Sequence, residues 1–122
     1  MENDLTEKII GAALEVHSHL GPGLLESTYE ACLAHELKLR NIPFERQKSF
    51  QLNYKGEMLN EIGRIDFIIK NEVVIELKSV EAFSHVHVAQ LLTYLRLTDT
   101  RIGLLINFNV PLLKHGIKRV TL

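Results

Sequence analysis

The chain has 122 residues, 46% of them hydrophobic and 24% charged, which is typical of a globular protein with a core of its own. Fourteen Lys and Arg against fifteen Asp and Glu leave a net charge of −1, which excludes a general basic field for nucleic acid. The single cysteine excludes an internal disulfide, and no apolar run is long enough to span a membrane. With no signal-peptide pattern at the start, we expect a single domain over residues 1–122, cytoplasmic and without a membrane partner.

Helical periodicity dominates the first third of the chain. A first helix is expected from Thr6, which can cap it, to about Leu20. The breaker Gly21-Pro22-Gly23 ends it, and a second helix should follow from about Leu24 to Arg40. Pro43 prevents that helix from continuing.

The period then changes to that of strands. Phe44–Tyr54 is predicted as one strand, with Lys55–Glu57 as its turn. Glu61–Ile69 and Val73–Val80 are predicted as two further strands, joined at Lys70–Glu72.

The helical period returns from about Ser84 to Thr98. Arg101–Phe108 is a short and very apolar strand, as expected in a sheet covered on both faces, and Ile117–Leu122 is predicted as a last edge strand. The order α-α-β-β-β-α-β(-β) predicts an α/β (α+β) fold, with a mixed sheet of about four to five strands flanked by helices.

The length of the loop between the two middle strands decides which side chains share a face. Residues directly opposite each other in a hairpin point to the same face. A two-residue loop would set Asp66 opposite Ile75, whereas a three-residue loop at Lys70–Glu72 sets Asp66 opposite Glu76. Asn71 tolerates the left-handed backbone that such a loop usually needs. We therefore predict the three-residue loop.

This register gathers Asp66, Glu76 and Lys78 on one face. Two carboxylates placed opposite each other repel, unless a hard cation such as Mg²⁺ lies between them. Such a cation can activate water, and Lys78 could stabilise a phosphoryl transition state. The alternative is a solvated face on which Glu76–Lys78 is a surface pair of little value. Since Val73–Lys78 is otherwise apolar, charges there are costly unless they are paired or functional, and the metal site is favoured.

The segment Gly23-Leu24-Leu25-Glu26-Ser27-Thr28-Tyr29 resembles the signature of the GxxExxY family, a branch of the PD-(D/E)xK nuclease-like superfamily. The resemblance runs from about Leu5 to Val120. Further segments that carry it are Gly21–Gly23, Ile42–Gln47, Asp66–Phe67, Val74–Lys78, Ala89–Leu95 and Gly103–Phe108. It implies a restriction-endonuclease-like core, although Ile65 stands where the superfamily name has proline.

The resemblance also implies roles for particular residues. Asp66, Glu76 and the Leu77 carbonyl would bind Mg²⁺ or Mn²⁺, and Lys78 would be the catalytic lysine. Glu26 would be a further acidic site residue from the preceding helix. Its position in the first helical turn is explained equally well by the helix dipole.

On the later helix, the resemblance makes Gln90 the fourth site residue, which would orient Lys78 or a water. Tyr94 lies one turn after Gln90 and would support it, and His87 lies about one turn before it. We expect these three side chains to share a face distinct from the leucine stripe of the helix.

Two residues keep two interpretations each. Tyr29 could hydrogen-bond Glu26 or the site, or it could pack under the sheet. Arg64, two residues before Asp66, could contact a phosphate or pair with a carboxylate.

The first functional hypothesis is a magnesium-dependent nuclease that hydrolyses phosphodiester bonds in DNA or RNA. A chain of this size would act as a homodimer, whose two sites could span a duplex. The alternatives are a non-catalytic module that binds nucleic acid or protein through the same groove, and a structural or regulatory dimer.

Overall fold

The computed structural model describes residues 2–60 and 63–122. Its α-helices are α1 (Glu2–Leu20), α2 (Glu26–Leu39) and α3 (His85–Thr98). Its strands are β1 (Phe44–Ser49), β2 (Leu52–Tyr54), β3 (Glu57–Leu59), β4 (Arg64–Ile69), β5 (Val73–Lys78), β6 (Ile102–Asn107) and β7 (Ile117–Thr121). A short 3₁₀ helix, Leu113–Gly116, precedes β7.

Five strands form one mixed sheet in the order β1-β4-β5-β6-β7. Only β5 and β6 run parallel, and α3 connects them across one face of the sheet. The remaining neighbours are antiparallel. The predicted fold class, a mixed sheet flanked by helices, is confirmed, and β7 is an edge strand as expected.

Helices cover both faces of the sheet, and each face has its own hydrophobic cluster. On one face, α1 and α2 pack against the sheet through residues such as Ile9, Leu33 and Leu37. On the other face, α3 packs through Leu91 and Leu95. The central strands therefore bury side chains on both sides, which is why all six residues of β6 are buried.

The turn after α1 depends on glycine. The Gly21 N–H donates to the His17 carbonyl (2.8 Å), and Gly21 has a φ of 67°. A left-handed residue at this point closes a helix end, and only glycine adopts it without a steric cost. Within the described ranges, no helix combines the length and apolar character needed to cross a bilayer.

The β4–β5 hairpin has the predicted register. Ile69 pairs with Val73 across a three-residue loop, and the Glu72 N–H donates to the Ile69 carbonyl (2.9 Å). Lys70 and Asn71 both adopt left-handed conformations, with φ values of 53° and 55°. The left-handed geometry was expected for Asn71 and not for Lys70.

The prediction of one strand over Phe44–Tyr54 is wrong. The pairing of β1 with β4 ends at Ser49, and Phe50 instead places its ring 5.3 Å from that of Tyr94. The chain then enters a separate hairpin in which β2 pairs only with β3.

Several predicted boundaries also move. Thr6, expected to cap the first helix, lies inside α1, which begins at Glu2. The helix expected from Leu24 begins at Glu26, because Leu25 is extended (φ −73°, ψ 150°) and forms the N-cap. Of the strand expected over Glu61–Ile69, Glu61 and Ile62 lie outside the described residues, and β4 begins at Arg64. The strand expected to reach Val80 ends at Lys78.

Candidate active site

Two carboxylates close the open end of the β4–β5 hairpin. The backbone pairing stops at Phe67 and Ile75. Beyond it, the Asp66 N–H donates to Glu76 Oε2 (2.8 Å), and the Leu77 N–H donates to Asp66 Oδ2 (2.8 Å). Each acidic side chain therefore bonds the main chain of the opposite strand, and the two carboxylates are held side by side as the register predicts.

Side-chain alternation is interrupted at this level of the sheet. Phe67 and Ile69 belong to the cluster under α1 and α2, whereas Ile65 belongs with Ile68 to the cluster under α3. Strict alternation would put Ile65 on the same face as Phe67. The backbone of β4 is therefore distorted around Asp66, where the regular ladder ends.

The surroundings of the two carboxylates disfavour their charged forms. Burial and the charge of Asp66 raise the pKa of Glu76 to about 8. The hydrogen bond from the Asp66 N–H and the charge of Lys78 oppose this rise but do not cancel it. Burial also raises the pKa of Asp66, against the hydrogen bond from the Leu77 N–H. Two adjacent acidic groups in a partly dry environment attract a cation, whose charge would offset both effects.

Lys78 is the last residue of β5 and is half-buried. Its carbonyl accepts a hydrogen bond from the Phe108 N–H (3.0 Å). In the part of the chain that the structure describes, its ammonium group forms no ion pair, although its charge lowers the pKa of Glu76. The side chain is therefore near the acidic pair without being locked to it.

Buried Asn107 positions the chain that follows Lys78. Its amide accepts from the Val80 N–H (3.1 Å) and donates to the Val80 carbonyl (2.9 Å). Next to it, the Ser79 hydroxyl donates to the Leu24 carbonyl (2.8 Å), which ties the segment before α2 to the end of β5.

Glu26 is the first residue of α2 and is exposed. Its negative charge contributes to raising the pKa values of both Asp66 and Glu76. Among residues 2–60 and 63–122, no three or more His, Cys, Asp or Glu side chains are grouped closely enough to hold a metal. Glu26 therefore affects the acidic pair through its charge.

Tyr94 does not lie on a face separate from the leucine stripe, so that prediction is wrong. It is 7% exposed and packs in the same cluster as Leu91 and Leu95, because the apolar stripe of α3 is broad. The exposed side chain of Gln90 hydrogen-bonds the Tyr94 hydroxyl. Burial and the charges of the two carboxylates raise the pKa of Tyr94. Tyr94 on α3 therefore lies within the electrostatic field of the acidic pair.

His87 lies at the start of α3, where its side chain takes part in capping the helix. Its Nδ1 accepts the Ser84 N–H (3.1 Å), and the Ser84 side chain bonds the His87 backbone in return. This reciprocal pair caps the helix and stabilises its first turn.

Tyr29 packs under the sheet. Its ring stacks on Phe108 at 4.4 Å. Its hydroxyl donates to the Gly21 carbonyl (2.6 Å) and accepts from the Leu24 N–H (3.2 Å). Neither bond involves the Glu26 side chain. Tyr29 therefore holds the turn that leads into α2.

Arg64 is exposed at the start of β4, where its backbone pairs with Ser49. It takes part in none of the ion pairs found among the described residues. Its guanidinium group is therefore accessible for other contacts.

The positions of Gln47 and Glu30 near Asp66 were not predicted from the sequence. Gln47 Nε2 donates to Asp66 Oδ1 (3.1 Å) and to Glu30 Oε1 (2.6 Å), and Arg46 Nε donates to Glu30 Oε2 (2.7 Å). Helical spacing from Glu26 to Glu30 could have suggested that both face the sheet. Gln47 lies in the segment Ile42–Gln47 that carries the family resemblance, but nothing in the sequence indicates its contact with Asp66.

A model of the PD-(D/E)XK nuclease superfamily matches residues 3–120. The chain therefore belongs to the PD-(D/E)XK nuclease superfamily, a class whose members are nuclease-like in fold.

The structure is also similar to the crystal structure of SSO0001, with a TM-score of 0.60 and 24% sequence identity over 79% of this chain. The match covers 50% of SSO0001, so this chain spans about half the length of that protein. At this identity the likeness shows the fold alone. No curated protein matches the sequence significantly.

Proposed function

We propose that the protein is a nuclease that hydrolyses phosphodiester bonds in DNA or RNA with the help of Mg²⁺ or Mn²⁺. One observation carries the proposal: Asp66 and Glu76 are held side by side at the end of a hairpin, with Lys78 beside them in no ion pair among the described residues. Membership of the nuclease superfamily supports the same reaction class.

The donor set fits a hard divalent cation. Asp66, Glu76 and the Leu77 carbonyl would hold it, since hard cations prefer carboxylate and carbonyl oxygens. Burial raises the pKa of both carboxyl groups, so the protein alone disfavours their charged forms, and a cation that replaces the protons would supply the compensating charge. When bound, such a cation supplies Lewis-acid polarisation of a phosphoryl oxygen and a more acidic water.

The protein's own side chains supply the remaining stabilisation. The Lys78 ammonium group is free to approach a phosphoryl oxygen, where negative charge increases during hydrolysis. Gln90 presents its amide from α3, anchored by the Tyr94 hydroxyl, and orients Lys78 or a water. The field of Glu26 adds to the attraction for a cation at the acidic pair.

We also propose that the protein belongs to the GxxExxY branch of the superfamily, a finer assignment supported by the resemblance of the Gly23–Tyr29 segment to that family's signature. The protein works in the cytoplasm as a homodimer, since two symmetric sites allow a chain of this size to act on both strands of a duplex.

The test is cleavage of mixed DNA and RNA substrates with Mg²⁺ or Mn²⁺, compared between the wild type, Lys78→Ala and Glu76→Gln. Lys8→Ala, which removes an exposed lysine on α1, is the matched control. We expect cleavage by the wild type and the control, and a loss of about 100-fold or more in the two site variants. Equal activity of the wild type and Lys78→Ala would refute the proposal. Nucleic-acid binding without cleavage would favour a non-catalytic module.

A further inference from the structure

Gln47 contacts the acidic pair from the neighbouring strand. It lies in β1 between the pairs Arg46–Phe67 and Lys48–Ile65, so its register position is opposite Asp66. Its side-chain nitrogen donates to Asp66 Oδ1 (3.1 Å) and to Glu30 Oε1 (2.6 Å). A primary amide nitrogen has two hydrogens, and both are used here.

The orientation of this amide is determined by its partners. Both neighbouring atoms are carboxylate oxygens, which accept and cannot donate when ionised. The opposite orientation would direct the amide oxygen at two carboxylates. Nε2 must therefore face Asp66 and Glu30.

The backbone of Gln47 is unusual for a strand. Its φ is 52°, in the left-handed region that glutamine rarely adopts and that opposes an extended conformation. The regular pairs on either side of Gln47 show that the distortion is confined to this level. A strained conformation persists where the surrounding contacts maintain it, and such positions concentrate at functional sites.

We propose that Gln47 is the positioning residue that holds the Asp66 carboxylate in the orientation that binds the divalent cation. This inference rests on the proposed function. With Gln47 on Oδ1 and the Leu77 N–H on Oδ2, rotation of the Asp66 carboxylate is prevented from both sides. A neutral donor orients the carboxylate without cancelling its charge, whereas lysine or arginine at this position would compete with the cation.

Glu30 provides the second anchor of the amide. It lies on α2 and is itself held by Arg46, whose Nε donates to Glu30 Oε2 (2.7 Å). The Glu30 side chain is 13% exposed and that of Arg46 is 41% exposed. The chain of contacts Arg46–Glu30–Gln47–Asp66 therefore connects α2 to the metal-binding carboxylate. Within it, only Gln47 hydrogen-bonds Asp66, while the charge of Glu30 also helps to raise the pKa of Asp66.

The test measures Mn²⁺ affinity by calorimetry, with Mn²⁺ alone and no nucleic acid, for the wild type, Gln47→Gly and Gln47→Asn. Glycine relieves the left-handed backbone and removes the amide. Asparagine also tolerates this backbone and keeps an amide, but it is one methylene too short to bridge both carboxylates. We expect both variants to bind Mn²⁺ at least about 10-fold more weakly, with thermal midpoints that are not lower than that of the wild type for Gln47→Gly.

Arg46→Ala is the matched control, because it weakens the attachment of Glu30 and leaves the Gln47–Asp66 contact in place. We expect its Mn²⁺ affinity to stay within about threefold of the wild type, since the substitution removes no hydrogen bond to Asp66. Wild-type affinity in both Gln47 variants would overturn the proposal. An equal loss in Arg46→Ala would also overturn it, since the effect would then come from the docking of α2.

The same titration separates this inference from the proposed function. A wild type that binds Mn²⁺ but does not cleave nucleic acid refutes the nuclease proposal, while the affinities still decide the role of Gln47. A wild type that does not bind Mn²⁺ overturns both.

Discussion

Replacing Glu76 by glutamine should stabilise the metal-free protein at neutral and alkaline pH. Glu76 is 5% exposed, and the pKa of its carboxyl is raised to about 8 by burial and by the charge of Asp66. Glutamine removes the charge and keeps a side-chain oxygen that can accept the Asp66 N–H. The substitution therefore isolates the electrostatic cost of the carboxylate at this position.

The sign and size of the effect follow from proton linkage. The folded protein holds the Glu76 proton up to about pH 8, whereas the unfolded chain releases it near 4.5. Stability therefore falls as the pH rises between these two values, because the unfolded state binds fewer protons. At about 1.36 kcal/mol for each pKa unit, the loss is roughly 3 kcal/mol at pH 7 and roughly 5 kcal/mol above pH 8.

The assay is urea unfolding in the presence of a chelator at pH 4, 7 and 9, followed by circular dichroism. The wild type and Glu76→Gln should have similar free energies of unfolding at pH 4. At pH 7 the variant should be more stable by roughly 3 kcal/mol, which corresponds to a thermal midpoint about 10 °C higher. Glu57→Gln, a change of an exposed carboxylate on β3, is the control and should show no such trend.

If the difference in the free energy of unfolding between the wild type and Glu76→Gln stayed constant from pH 4 to pH 9, this reasoning would be refuted. Addition of Mg²⁺ gives a second check, since a ligand that binds only the folded state stabilises it. Mg²⁺ should raise the midpoint of the wild type and leave that of Glu76→Gln nearly unchanged.

Three further substitutions test the framework around the site, each by urea unfolding. Tyr29→Phe keeps the stacked ring but removes the hydroxyl that bonds the turn before α2, and should cost about 1–2 kcal/mol; wild-type stability would contradict this role. Asn107→Ala should cost roughly 2–4 kcal/mol, because it removes the acceptor of the Val80 and Asn109 N–H groups and leaves the Val80 carbonyl only the long Asn109 amide contact (3.4 Å); a loss below 1 kcal/mol would argue against it. Lys70→Gly should instead stabilise the hairpin by about 0.5–1 kcal/mol, since glycine adopts its φ of 53° without strain; destabilisation would contradict that reading.

The core of the site could be predicted from the sequence because it depends on one hairpin. The direction of side chains alternates with a period of two, so the loop length alone decides that Asp66 lies opposite Glu76. The apolar runs of β5 and β6 likewise indicate strands covered on both faces, since burial on two sides requires apolar residues at every position. These are consequences of local backbone geometry.

Other features depend on which elements meet in three dimensions. The first strand stops at Ser49 because its partner β4 begins at Arg64, and Tyr94 is buried because Phe50 and the sheet cover it. Neither contact can be read from the helical or strand period of the residues involved.

The surroundings of Asp66 and Glu76 also combine features that the sequence determines with features that depend on the tertiary structure. Sequence alone determined that Asp66, Glu76 and Lys78 share the end of a hairpin. Only the tertiary structure brought Gln47 to Asp66, because that contact requires β1 to pair with β4, α2 to present Glu30 above them, and Gln47 to adopt a left-handed backbone. A regular alternation rule cannot predict such a residue, since the contact depends on the point where the alternation fails.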